Sequence, residues 1–239
     1  MIDFKIDTIA PLCQSFGVEL TDKIKQQLNL YGNLLLSWNE KMNLTAITEP
    51  DAVLYKHFYD CILFLKHIDL KKGATVVDVG TGAGFPGMVL KILREDLDIT
   101  LLDSLNKRLV FLNDVIDKLG LNGIKTLHSR AEDAGKNKAL RESFDVATAR
   151  AVANLPVLLE YCTPLVKKGG IFVSMKGANA MEEVAICSNA VKILGCTEPD
   201  ILFETLPGDD KRAFLSFKKI SQTPPKYPRK PGDISKQPL

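Results

Sequence analysis

The 239-residue sequence has no long hydrophobic run and no secretion signal. No stretch reaches 18 consecutive apolar residues, the length that a transmembrane helix requires. Residues 1–7 include acids where a signal peptide needs basic residues followed by an apolar run. These two absences predict a cytoplasmic protein that makes no use of a membrane.

The cysteines show no arrangement that would form a disulfide framework or a zinc site. There are five, an odd number, and no two of them form a Cys-x-x-Cys pair. Scattered cysteines of this kind predict buried, reduced thiols, and we expect no bound metal. The five are Cys13, Cys61, Cys162, Cys187 and Cys196.

The sequence also lacks a strong overall charge, since its formal net charge is only +2. The distribution is uneven, however. Residues 215–239 hold six basic residues and one acid, whereas the remaining 214 residues sum to −3. Five prolines lie between Pro224 and Pro238. Because proline disfavours helices and central strands, we expect residues 221–239 to form an extended, mobile, basic tail.

The hydrophobic pattern divides the chain into three parts. Residues 1–70 have helical periodicity, with a long helix capped by Thr21 and another beginning near Pro50. From residue 71 to residue 220, short β-rich runs alternate with amphipathic helical segments. The predicted strands are 75–79, 99–103, 124–128, 144–148 and 171–175, and the predicted helices are 87–95, 107–119, 155–162 and 180–194.

Alternation of this kind predicts an α/β fold with a doubly wound, mostly parallel sheet that carries an N-terminal helical extension. The last two strands, 201–206 and 213–218, are separated by Pro207-Gly-Asp-Asp210, which is typical of a hairpin. The seven-stranded sheet should therefore end with an antiparallel strand.

A glycine-rich loop follows the first predicted strand, at Asp78-Val-Gly-Thr-Gly-Ala-Gly-Phe-Pro-Gly87. Glycines let the backbone approach a ligand closely, and the following helix N-terminus favours negative charge. Asp103 ends the second strand, 19 to 23 residues beyond the first three glycines of the loop. An acid at this position can accept both hydroxyls of a ribose, so we predict a cofactor of the adenosine type.

Two cofactors remain open on the loop residues alone. Gly82 to Gly87 satisfies the dinucleotide pattern G-x-G-x-x-G, which permits NAD and an oxidoreductase. Asp78 places a carboxylate just before the loop, where it suits an amine and a sulfonium better than a pyrophosphate. Pro86 removes a backbone donor near the helix start. Both features favour S-adenosylmethionine.

Six segments together resemble one known family, the bacterial ribosomal RNA small subunit methyltransferase G family, also called glucose-inhibited division protein B. They are Trp38-Asn-Glu-Lys-Met-Asn-Leu-Thr45, His57-Phe-Tyr-Asp60, the glycine loop, Leu102-Asp-Ser-Leu-Asn-Lys-Arg108, Ser129-Arg-Ala-Glu132 and Thr148-Ala-Arg-Ala151. The likeness extends from about Thr21 to the end of the chain. Cys61 stands where many members have serine, a small change.

The resemblance implies a class I, Rossmann-like methyltransferase that uses S-adenosylmethionine to methylate N7 of a guanine in a conserved loop of 16S rRNA near the decoding site. The partner would be 16S rRNA, the small ribosomal subunit or its assembly intermediate, and the protein a monomer. The family implies that cofactor-binding residues are Gly80, Gly82, Gly84 and Phe85 at the methionine end, Asp103 at the ribose, Ala131 and Glu132 at the adenine, and Arg150 over the site.

Candidate contacts to the RNA are His57, Arg130, Lys176 and the tail residues Lys226, Arg229 and Lys230. Structural alternatives stay open for all of these except Lys176: His57 could pair with Asp60 on one helix, Arg130 could be a surface charge, and the tail could be a solubilising end. The fourth predicted strand is followed neither by a cysteine nucleophile nor by a polar-Pro-Pro-aromatic segment. Guanine N7 carries a lone pair and no proton, so we expect no catalytic base.

Three further functions stay open at this point. The first is the NAD-dependent oxidoreductase. The second is an RNA-binding module that has kept a cofactor pocket without activity. The third is methylation of a small molecule, which the basic tail disfavours.

Overall fold

The computed structural model describes residues 1–239, and the first 70 residues form helices as predicted. Thr21 caps the long helix, because its hydroxyl accepts a hydrogen bond from the Ile24 N–H at 3.4 Å. The helices of this region are α1 (Ala10–Gln14), α2 (Asp22–Asn39), α3 (Pro50–Val53) and α4 (Asp60–His67), with one π-helical segment at Leu54–Tyr59. None of the protein's helices combines the length and apolar character needed to cross a bilayer.

Seven strands then form one sheet in the order β3-β2-β1-β4-β5-β7-β6. Strands β1 to β5 pair in parallel, and β7 runs antiparallel to both β5 and β6, as the hairpin predicted. The strands are β1 (Thr75–Val79), β2 (Asp98–Asp103), β3 (Ile124–His128), β4 (Phe144–Arg150), β5 (Val166–Lys176), β6 (Asp200–Leu206) and β7 (Asp210–Lys218). The predicted doubly wound fold is confirmed.

Helices cover both faces of this sheet. They are α5 (Gly87–Leu93), α6 (Asn106–Leu119), α7 (Ala131–Lys136), α8 (Leu155–Cys162), α9 (Ala180–Ala185) and α10 (Ser188–Leu194). The helix predicted over 180–194 is therefore two helices, and α7 was not predicted. Helix α6 ends at Gly120, whose φ of 63° lies in the left-handed region that glycine tolerates.

Two apolar clusters flank the sheet, and all five cysteines are buried and unpaired as predicted. One cluster joins the apolar face of α2, including Leu28, Tyr31 and Leu35, to residues of α5 and α6. The N-terminal helices therefore share a core with the strand-and-helix region. The strand order reverses between β1 and β4, the point at which open parallel sheets bind ligands beyond their carboxyl ends.

The C-terminal segment differs from the extended tail that its prolines predicted. A helix, α11 (Pro231–Lys236), begins at Pro231, because proline fits the first helical turn, where its missing N–H costs nothing. Tyr227 and Ile234 are buried. The Arg141 side chain donates hydrogen bonds to the carbonyls of Tyr227 and Thr223 at 2.8 and 2.7 Å. The segment is packed against the region of strands and helices.

The Arg229 side chain takes part in this packing. Its guanidinium pairs with the fully buried carboxylate of Glu160 on α8, with Nη2 at 2.6 Å from Oε2, and its backbone N–H donates to Oε1 at 2.7 Å. Lys219, another of the six basic residues, is also buried and contacts Glu142. Arg229 and Lys219 therefore form ion pairs within the protein, while Lys226 and Lys230 are exposed.

Replacing Arg229 with alanine should lower the free energy of unfolding by about 3 kcal/mol, because the buried Glu160 carboxylate loses its charged partner. Urea denaturation measures this loss. Lys230→Ala, which removes an exposed cation one position later, should change stability by no more than about 0.5 kcal/mol. Equal stability of the two variants would show that the segment is not held by this ion pair.

Candidate functional site

The glycine loop connects β1 to α5 at the point where the strand order reverses. The N–H groups of Gly80 and Thr81 donate to the Leu102 carbonyl at 2.8 and 3.0 Å, which holds the loop against β2. Gly84 has a φ of 100°, and a Cβ there would lie 2.7 Å from the Tyr31 hydroxyl and 2.8 Å from the side chain of Leu112. Glycine is therefore required at Gly84 both by its backbone conformation and by the close approach of helix α2.

Asp103 lies at the end of β2 and is buried against this loop. Its Oδ2 accepts from the Gly82 N–H at 2.9 Å and from Arg108 Nη1 at 3.2 Å. Its Oδ1 accepts from the Leu105 N–H at 2.8 Å. Asp103 thus supports the loop as well as facing the cavity above it.

Asp78 is enclosed beneath the loop. Its Oδ2 accepts from the Thr81 hydroxyl at 2.7 Å and from the Gly87 N–H at 2.9 Å, while Oδ1 is buried without a partner. Burial raises the pKa of Asp78 to about 6, against the opposing effect of those two hydrogen bonds. The unpartnered oxygen is a free acceptor for a donor such as an ammonium group or a water bridged to one.

A first cavity of about 370 Å³ opens above the carboxyl ends of β1, β2 and β4. It brings together four of the predicted cofactor residues, Gly80, Asp103, Ala131 and Glu132. Arg130, predicted to contact RNA, also lines this cavity, and its contact with RNA stays a prediction. The remaining lining residues include Ser104, Arg108, Ser129 and Ala151, which lie in the family segments but were not predicted as site residues, and Val152 and Tyr161, which lie outside those segments.

Phe85 does not line this cavity. Its ring stacks on the His57 ring, with centroids 4.4 Å apart, and on Tyr31 at 5.3 Å. The Arg150 guanidinium lies 5.0 Å from the centre of the same ring. Gly82, Gly84, Phe85 and Arg150 do not line the first cavity, so their role toward the cofactor stays a prediction.

A second cavity, of about 290 Å³, lies next to the first and is lined by Arg150. Arg150 Nη1 donates to Asp60 Oδ2 at 2.8 Å and to the Lys56 carbonyl at 2.9 Å, and Nη2 lies 3.0 Å from His57 Nδ1. On the other side of Asp60, Arg212 Nε lies 3.2 Å from Oδ1. Asp60 is therefore held between two guanidinium groups, and His57 and Asp60 meet through Arg150 rather than by pairing directly.

His57 is neutral in this arrangement. Burial, reinforced by the positive charge of Arg150, lowers its pKa to about 3. A guanidinium can only donate, so His57 Nδ1 accepts and Nε2 carries the proton toward the Thr45 hydroxyl at 3.0 Å. A neutral imidazole can contact a base but offers no charge to a phosphate.

The other predicted RNA residues divide between the cavities and the C-terminal segment. Lys176 lines the second cavity, where its Nζ pairs with Glu183 and donates to the Ala153 carbonyl, both at 2.7 Å. Lys226, Arg229 and Lys230 line neither cavity. Lys56 and Arg212 join Lys176 around the second cavity and had no signal in the sequence, because long-range packing alone brings them there.

Helix α2 holds the glycine loop through Tyr31. Its hydroxyl donates to the Ala83 carbonyl, and burial raises its pKa, which keeps it a protonated donor. Tyr31→Phe should lower the free energy of unfolding by about 1 kcal/mol and weaken S-adenosylmethionine binding about threefold, because the loop loses one anchor. Calorimetry and urea denaturation measure the two effects. Tyr59→Phe is the control, and unchanged cofactor affinity in Tyr31→Phe would contradict this role.

A family model for the rRNA small subunit methyltransferase G family matches residues 24–205. The chain belongs to this family. The ribosomal RNA small subunit methyltransferase G of Clostridium perfringens strain 13 is 50% identical over 234 residues, which cover 98% of each chain. Membership confirms the predicted family and S-adenosylmethionine as cofactor, and it removes the NAD-dependent alternative.

Solved structures agree on the fold. A predicted O-methyltransferase from Agrobacterium tumefaciens has a TM-score of 0.56 at 18% identity, over 69% of this chain and 82% of that one. An S-adenosylmethionine-dependent O-methyltransferase from Thermotoga maritima has a TM-score of 0.51 at 14% identity, over 80% and 72%. This member of the rRNA small subunit methyltransferase G family therefore has the class I, Rossmann-like methyltransferase fold.

Proposed function

We propose that this protein transfers the methyl group of S-adenosylmethionine to N7 of a guanine in 16S rRNA, in a conserved loop near the decoding site. The observation that carries the proposal is the contact between the two cavities, which share Ala151 at the end of β4. Ala151 has a φ of 57°, a conformation that a residue with a side chain rarely adopts. A backbone held in this way at the junction is a common feature of functional sites.

The first cavity fits the cofactor. In this proposal Asp103 binds the ribose, Ala131 and Glu132 flank the adenine, and Gly80 lets the methionine end approach the backbone; all four residues line the first cavity. S-adenosylmethionine supplies an activated methyl group on a sulfonium, and the protein's contribution is to place this group toward the second cavity.

The second cavity fits a nucleotide. Four cations, Lys56, Arg150, Lys176 and Arg212, surround it, whereas its one acid, Asp60, is buried between two arginines. His57 is neutral and Asp60 is ion-paired, so no side chain there is free to remove a proton. Guanine N7 needs none, because its lone pair attacks the methyl carbon directly. In-line placement of the two groups then accounts for the rate.

The target base must leave its helix to reach this cavity. N7 faces the deep, narrow major groove of A-form RNA, which side chains cannot enter. A guanine in a loop, or one swung out of its stack, meets this requirement. We propose the small ribosomal subunit or an assembly intermediate as the substrate, and a monomer acting in the cytoplasm as the enzyme.

RNA that carries 7-deazaguanine at the target position tests which atom is methylated. Replacing N7 with carbon removes the lone pair but keeps the base's other edges. We expect methyl transfer from labelled S-adenosylmethionine to fall to background on the substituted RNA, while binding of that RNA stays within about threefold. Methylation that persists on the 7-deaza RNA would show that another atom is the acceptor.

A further inference from the structure

The chain buries nearly all of its aromatic surface, with one exception on the edge strand β6. Of its eleven phenylalanines, five tyrosines and one tryptophan, only Phe203 is exposed, at 60% of its surface. Exposed apolar residues scattered singly are ordinary, so the position of Phe203 matters more than its exposure. Phe203 lies close to the second cavity described above.

Phe203 lines a third cavity, of about 590 Å³, formed by the β6–β7 hairpin and the turn after β5. This third cavity adjoins the second one, because Gly177 and Arg212 line both. Thr205 and Lys211 complete the wall beside the Phe203 ring, and they are cross-strand neighbours. The exposed aromatic ring therefore lies beside the cavity that we assign to the acceptor nucleotide.

The charges around Phe203 favour an anionic ligand. Glu204, also in the cavity wall, is paired with Lys66 at 2.5 Å and with His67 at 2.7 Å. Lys211 forms no ion pair, and its Nζ makes a single side-chain contact, to the Thr205 hydroxyl at 3.1 Å. The surface thus combines an exposed ring with a cation whose charge is not neutralised within the protein.

We propose that Phe203 and Lys211 form a subsite for a nucleotide that flanks the target guanine, with its base stacked on the Phe203 ring and its phosphate near Lys211. This inference rests on the proposed RNA substrate. Single-stranded RNA is commonly bound by such pairs, because every base presents a flat face to an aromatic ring and every nucleotide carries a phosphate. A target base drawn out of its stack also leaves its neighbours unstacked, and Phe203 replaces the lost stacking.

The test compares two residues of the same strand. Phe203→Ala should raise the KM for the small-subunit substrate about tenfold, with kcat at saturating RNA and the affinity for S-adenosylmethionine unchanged. Phe203→Trp should keep the wild-type KM, because an aromatic face remains. Leu202→Ala is the matched control, since Leu202 is 41% exposed and points to the opposite face of β6. Lys211→Ala should reduce the salt dependence of RNA binding by about one counterion.

An unchanged KM in Phe203→Ala, or an equal rise in Leu202→Ala, would overturn the subsite. The surface around Phe203 could instead bind a second copy of this chain, and analytical ultracentrifugation tests this alternative by measuring the oligomeric state. If Phe203→Ala changed a dimer into a monomer without altering the KM for RNA, β6 would be a self-association edge and the proposal would be wrong. The proposed function fails by a different result, namely no methyl transfer by the wild-type protein.

Discussion

Asp103→Ala is expected to weaken S-adenosylmethionine binding by roughly 1.5–3 kcal/mol, about 10- to 150-fold in Kd. The carboxylate would lose its hydrogen bonds to the ribose hydroxyls. It would also release the Gly82 N–H of the glycine loop at 2.9 Å and the Leu105 N–H of the turn after β2 at 2.8 Å. Isothermal titration calorimetry with S-adenosylhomocysteine measures the loss.

Arg108→Ala is the matched control for this experiment. An ionised carboxylate can accept about four hydrogen bonds, and three protein donors already occupy three of these positions on Asp103: Gly82, Leu105 and Arg108. One position is left for the two ribose hydroxyls. Two ribose hydroxyls would therefore displace the partly exposed Arg108, whose Nη1 lies 3.2 Å from Asp103. We expect Arg108→Ala to bind the cofactor at least as tightly as the wild type. Unchanged affinity in Asp103→Ala would refute the assignment of this residue to the ribose.

Arg150→Met should lower the free energy of unfolding by about 3 kcal/mol and abolish methyl transfer. The substitution removes the donors to Asp60, His57 and the Lys56 carbonyl, and it leaves the buried Asp60 with Arg212 alone. It also removes the cation over Phe85. Urea denaturation and a labelled methyl-transfer assay measure the two losses.

Arg150→Lys should not restore activity, because one ammonium group cannot match the planar donors that Arg150 directs at three separate acceptors. Arg94→Met serves as the control. It breaks the Arg94–Asp96 ion pair near the surface, which should cost about 0.5 kcal/mol. Full activity in Arg150→Lys would mean that the charge at this position matters and its geometry does not.

The sequence predicts a strand or helix correctly where its hydrophobic run is bounded by turn residues at both ends. Strands β1 and β3 have their predicted bounds, 75–79 and 124–128, because β-rich runs there are limited by turn residues. The segment 180–194 shows one helical periodicity, yet it forms two helices. Glu183 there accepts from the Leu155 N–H and from Lys176, contacts that local periodicity does not encode.

The cofactor cavity was more predictable than the acceptor cavity. Gly80 follows β1 and Asp103 ends β2, the next strand in the chain. Their spacing in the sequence therefore indicates that they lie close together. Lys56, Arg150 and Arg212 come from three distant parts of the chain. They meet because Arg150 contacts the Lys56 carbonyl and because Asp60, at the start of α4, lies between Arg150 and Arg212. The prolines of the C-terminal segment gave a misleading signal for a similar reason. The partner of Arg229 is Glu160, 69 residues earlier.

Methyl transfer from labelled S-adenosylmethionine to unmodified 16S rRNA and to small ribosomal subunits, with the modified nucleotide mapped, is the most direct test of the central claim. We expect one labelled guanine, methylated at N7, in a loop near the decoding site, and no transfer by Arg150→Met. Cofactor binding without any transfer to either substrate would contradict the account and would indicate an RNA-binding module that has kept a cofactor pocket.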